Sequence, residues 1–139
     1  MKLDSSYYKL LTFLIILIGC NNNNIERHLT ARSGWVIYEF NASFNIKTPG
    51  IAFREDHTCS LPMVGGNDYI EKKTIGTWDL QRKNKKYFVK IKSLNPKFNN
   101  VEFEISSLET IQDSTTMGKF EKLVLKSDSI QIICYRILL

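Results

Sequence analysis

The residues able to do chemistry are few, and their spacing is poor for it. A metal site needs several imidazoles, thiolates or carboxylates brought together. The only histidines are His28 and His57, and neither sits in a ligand spacing. Cys59 comes two residues after His57, so in a strand the two share a face, as a thiol nucleophile and its base would. No orienting partner or oxyanion site accompanies them. Glu102 and Glu104 also share a face, the arrangement of a two-carboxylate glycosidase. They alternate with Val101 and Phe103, which puts them on the solvated side of a strand. Arg82, Lys83, Lys85, Lys86, Lys90 and Lys92 form the one basic concentration. Few aromatics interleave them, so nucleic acid is not an expected partner. Two readings stay open for this cluster: a charged hairpin, or a patch facing anionic lipid headgroups. No catalytic residue, metal set or cofactor is expected.

The third candidate thiol, Cys20, has a different setting. Lys2 and Lys9 flank a lone acid, Asp4, and Leu10 to Ile18 is then apolar except for Thr12. Nine helical residues rise roughly 14 Å, under half the hydrocarbon core of a bilayer. The run is too short to span, and a basic start before a short apolar centre is the pattern of a cleaved signal peptide. Leu17-Ile18-Gly19-Cys20 resembles the lipobox of bacterial lipoproteins. That resemblance implies cleavage before Cys20 and acylation of its thiol, with residues 1–19 lost as the leader. Two or three acyl chains, at about 0.8 kcal/mol per buried methylene, hold such a protein on a membrane durably. Asn21 to Asn24, with Glu26, Arg27 and His28, read as part of a flexible linker over residues 20–33. By the sorting habits of Gram-negative lipoproteins, Asn21 after the cysteine favours the outer membrane, facing the periplasm.

Positioning falls to the residues beyond this linker. Loss of the leader removes two basic residues and one acid from a chain of formal charge +5, leaving about +4, which is mild. The remaining 120 or so residues suit one domain with its own core. Cys59 and Cys134 would lie in a compartment that permits disulfides, and whether they pair is open. From Gly34 the apolar pattern has a period of two, with turn residues every eight to twelve positions, the signature of an all-β domain. Strands are expected over Trp35 to Phe40, Ile51 to Arg54, Cys59 to Met63, Lys73 to Gln81, Tyr87 to Ser93, from Val101, over Phe120 to Lys126, and over Ile130 to Leu138. The last of these is apolar on both faces. Arg82 to Lys85 is expected as a hairpin turn. Tyr87, Val89, Ile91, Val101, Phe103, Ile105, Leu123 and Leu125 point one way along their strands. Eight short antiparallel strands predict an up-and-down barrel that removes its own edges, with a sandwich as the rival.

Three short stretches resemble a known family. Gly34-Trp35, the hairpin Phe53-Arg54-Glu55-Asp56-His57-Thr58 and Gly76-Thr77-Trp78 are similar to segments of the lipocalin-like domains on small bacterial lipoproteins. The resemblance implies such a barrel over residues 34–139. It also implies that Arg136 on the last strand covers the Trp35 indole and seals the barrel's closed end. His57 stands where the hairpin would favour glycine for a positive φ. Two functions are expected. An eight-stranded barrel can hold one small hydrophobic ligand against the inward residues named above. Alternatively those residues are a solid core, and the protein is a structural or interaction component of the envelope with a protein partner.

Overall fold

The computed structural model describes residues 24–31, 34–65, 74–112 and 118–138. The leader, Cys20 and the asparagine run before residue 24 lie outside the described residues. Among those described, no helix is long and apolar enough to cross a membrane.

Residues 24–30 form a short helix, α1. The strands are β1 (Trp35–Asn41), β2 (Gly50–Phe53), β3 (Thr58–Ser60), β4 (Ile75–Lys83), β5 (Lys86–Ser93), β6 (Val101–Gln112), β7 (Lys119–Lys126) and β8 (Gln131–Leu138). Each pairs antiparallel with its sequence neighbour, and β8 returns to β1, so the sheet is a closed eight-stranded barrel with no free edge. The sandwich alternative is excluded by that closure.

The strand boundaries reflect local chemistry. β3 stops at Ser60 because Pro62 has no N–H to give to a ladder, which shortens the expected run to Met63. β4 and β5 run further than expected, to the pair Lys83 and Lys86. Only Asn84 and Lys85 turn, with φ of 50° and 66°, the two-residue hairpin whose twist matches its strands. At Gly76 a side chain would not fit: a Cβ there would lie 2.7 Å from the Lys92 carbonyl oxygen and 3.2 Å from Cys59 Sγ. The glycine lets β3 and β5 close on β4.

Two β-bulges interrupt the alternation, between Ile37 and Glu39 on β1 and between Ile105 and Ser107 on β6. An extra residue bends the strand and tightens its twist, which closing a small barrel requires. The core is one cluster that includes Trp35, Trp78, Phe103, Leu123, Leu125 and Ile132. Each fully buried Leu, Ile, Val or Phe contributes about 1.5–3 kcal/mol by leaving water. The inward row of β8 is not wholly apolar: it consists of Ile132, Cys134 and Arg136, all buried, so a cation ends it.

The linker reading for 20–33 needs correction over its described second half. Residues 24–31 are a helix and its exit packed on the barrel, with Leu29 1 % exposed. An apolar side chain four residues from Ile25, which packs on the same core, puts both on one helical face.

Candidate functional site

Up-and-down topology gives the barrel two ends. One carries α1, the β2–β3 and β4–β5 turns, the end of β6, the start of β7 and the end of β8. The other carries the segments 42–49, 61–65, 94–100 and 127–130. At this second end Phe98, fully buried, stacks edge-on against Phe44, which in turn meets Phe40. Phe98 plugs the barrel from the segment between β5 and β6, where no strand is expected. Asn95 explains how that segment holds it: its side chain accepts from the Lys97 backbone N–H, and Ser93 Oγ accepts from its own.

Between the ends, Val89, Ile91, Phe103, Leu123 and Leu125 are each 0 % exposed. A side chain with no accessible surface has no water-sized gap against it, so these five form packed interior and line no cavity. The other three residues of the inward set lie nearer the ends. Val101 and Ile105 are half-buried against the core, and Tyr87 is half-buried with the Arg82 guanidinium 5.6 Å from its ring centroid.

The α1 end holds the most developed polar arrangement. Arg136 and Trp35 are brought together, with the guanidinium carbon 4.1 Å from the ring centroid. This contact contributes roughly 0.5–2 kcal/mol. Arg136 Nε donates to Glu121 Oε2 at 3.0 Å, and Nη2 donates to the same oxygen. Nη1 donates to the Ala31 carbonyl and Nη2 to the His28 carbonyl at 2.6 Å. The carbonyls at the end of a helix have no partner within it; here a barrel arginine supplies one. Trp35 Nε1 donates to the Leu29 carbonyl at 3.3 Å. His28 Nδ1 lies 2.8 Å from Glu121 Oε1, so both oxygens of this carboxylate are engaged. Burial pushes the Glu121 carboxyl up, but hydrogen bonds from Arg136 and His28 and their charges outweigh it and hold it below the usual carboxylate range.

A second fastening joins α1 to the β2–β3 hairpin. His57 has φ of 61° and stacks on Trp78 with ring centroids 5.2 Å apart. Its Nδ1 donates to the Trp78 carbonyl at 3.1 Å, and its Nε2 lies 3.3 Å from Glu26 Oε1 on α1. Trp78 Nε1 donates to the Arg54 carbonyl, and Asp56 accepts from the Thr58 backbone and hydroxyl. Those two bonds from Thr58 hold the Asp56 carboxyl below its ordinary value.

The remaining chemical candidates do not assemble. Cys59 is buried and not disulfide-bonded, as is Cys134. Burial pushes the Cys59 thiol up to about 11 and Cys134 to about 12, the opposite of an activated nucleophile. His57 turns its ring to Trp78 and Glu26. Glu102 and Glu104 lie on the outer face, paired with Lys83 at 2.7 Å and Lys86 at 3.0 Å. Among the described residues no three His, Cys, Asp or Glu side chains are grouped to hold a metal.

Sequence reasoning misses Glu121, although it carries the same parity as Leu123 and Leu125 and an acid in that register is a signal for a buried pair. It misses His28 as well, because a polar stretch after four asparagines hides a helix of seven residues. No family model matches this chain, and neither a curated protein nor a solved structure matches it.

Proposed function

We propose that this chain is a bacterial lipoprotein whose lipocalin-like barrel is a structural or protein-interaction component of the envelope. In this reading the leader is cleaved before Cys20, the thiol is acylated, and the barrel stands on the outer membrane facing the periplasm. Support for the anchor comes from Leu17-Ile18-Gly19-Cys20 directly after a short apolar run. Support for the lipocalin-like assignment comes from the closed eight-stranded meander and the arginine over the first-strand tryptophan. The observation that carries the choice of an interaction role is the filled interior: five inward side chains at 0 % exposure and a plug at each end. A carrier needs a concave apolar space, and a component that works by its surface does not.

The anchor is tested by labelling cells with a fatty-acid probe and by Cys20→Ser. The expected result is a labelled, membrane-fractionating wild type and an unlabelled, slower-migrating variant. Equal fractionation and migration of the two would remove the reading. Crosslinking in cells tests the interaction role, with one dominant envelope protein expected.

A ligand-binding reading keeps one observation in its favour. Ile25, Leu80 and Leu108 pack on the core yet retain accessible surface, and the topology gathers all three toward the α1 end. A small hydrophobic ligand would sit there, beneath the helix, and native mass spectrometry of envelope-purified protein would detect it.

A further inference from the structure

The geometry points to a membrane-docking edge at the α1 end of the barrel, running from the β4–β5 turn to β8, that rests on anionic lipid. This rests on the proposed lipidation of Cys20. The first observation is where the chain leaves the domain. Asn24 opens α1 and faces the same cavity, about 450 Å³, as Thr110, Glu121 and Leu138. It lies four residues after Cys20, a path of at most about 14 Å. A lipid on Cys20 therefore holds this end, and the β6–β8 side of it, within a short distance of the bilayer surface.

The second observation is what that edge presents. On the outer face Ile111 pairs with Phe120, and Phe120 pairs with Ile137. This makes an apolar row across three strands at the rim. Ile137 is 59 % exposed, as is Val36 on the adjoining strand. Tyr38 and Tyr135 stack edge-on just above them, amphipathic rings of the kind that settle at headgroup level. Nothing in the barrel requires these side chains outside the core, whereas a bilayer interface would cover them.

The third observation is charge. Arg27, Lys85 and Lys119 are exposed at the same end, and no carboxylate among the described residues pairs with them. Lys122 on this face is set against Glu109 at 4.0 Å. Of the other exposed acids of this end, Glu55 and Asp56 sit in the β2–β3 hairpin, diametrically across the barrel from β6 and β7, and Asp79 on β4 lies 3.5 Å from His57 Nδ1; Glu109 on β6 is the acid set against Lys122. Unpaired cations beside an apolar row match an anionic surface, each basic residue near such a surface favouring contact about fivefold.

The test uses the full chain, expressed with its leader, purified and reconstituted in vesicles containing phosphatidylglycerol or phosphatidylcholine alone. Ile137→Cys, Ile111→Cys and Leu94→Cys each take a nitroxide; Cys59 and Cys134 are buried and stay unlabelled. The expected result in anionic vesicles is oxygen-rich, chelate-poor accessibility at 137 and 111, with an aqueous signal at 94, which is 71 % exposed at the opposite end. Lys85→Ala should lower the docked fraction about fivefold in phosphatidylglycerol and leave phosphatidylcholine vesicles unaffected. A chain that floats with the vesicles while 137 and 111 stay as aqueous as 94 overturns the docking edge and spares the anchor. Immersion at 94 instead overturns it in favour of the other end. A chain that fails to float overturns the anchor and the edge together.

Discussion

The Arg136 guanidinium carbon stands 4.1 Å from the centre of the Trp35 ring, while the same side chain donates to Glu121 and to two carbonyls of α1 and its exit. One buried cation thus joins the first strand, the seventh strand and the N-terminal helix. This end of the barrel and the core beneath it can be probed by mutation, acid and thiol chemistry.

Arg136→Ala strands the Glu121 carboxylate, 4 % exposed, without its main donor. Breaking a buried pair by removing one partner costs about 3–5 kcal/mol. Urea unfolding should show a loss of that size. Arg136→Met with Glu121→Leu removes both charges together and should lose less than the single change.

Acid should unfold the protein partly through Glu121. Its folded-state carboxyl titrates below its ordinary value near 4.5, so the folded state binds fewer protons there than the unfolded chain. The resulting stability is fully present above about pH 4.5 and is lost as pH falls through the folded value. Denaturation between about pH 5 and 2 should therefore be steeper for wild type than for Glu121→Gln, which starts lower at pH 7 and lacks this contribution.

The two core thiols should be inert. Both are buried and unpaired, and burial has raised their titration to about 11 and about 12. A maleimide at pH 8 should modify neither until the barrel unfolds, and reductant should leave the melting temperature unchanged. Rapid labelling of native protein, or a reductant-sensitive melt, would contradict the packing described.

His57 combines a cost with a benefit. A non-glycine residue at φ of 61° loses roughly 1–2 kcal/mol relative to glycine. The ring stacked on Trp78 returns about 0.5–1.5 kcal/mol. His57→Gly should be close to neutral in thermal unfolding, whereas His57→Ala keeps the strain, loses the ring and should be destabilised by about 1 kcal/mol.

The β class is legible because burial on one face writes a period of two into the sequence. Val89 and Ile91, and likewise Leu123 and Leu125, fall inside as their parity requires. The parity breaks at Ile105, where the bulge before Ser107 moves Leu108 onto the inward side; an inserted residue of this kind leaves no mark in composition. Phe98 is not legible either. It lies in a turn whose direction depends on Asn95 and Ser93, and only the closed barrel provides the hole it fills.

The sequence alone determined the alternation, the turn positions, the short apolar run and the residues ahead of Cys20, because each is a local property of neighbours in the chain. Tertiary structure decided that residues 24–30 close one end, that Glu121 meets both Arg136 and His28, and that the inward side chains leave no gap at the barrel's centre. Those outcomes join residues as far apart as His28 and Glu121. Contacts of that separation depend on strand register, bulge placement and the closure of β8 on β1, which no local pattern encodes.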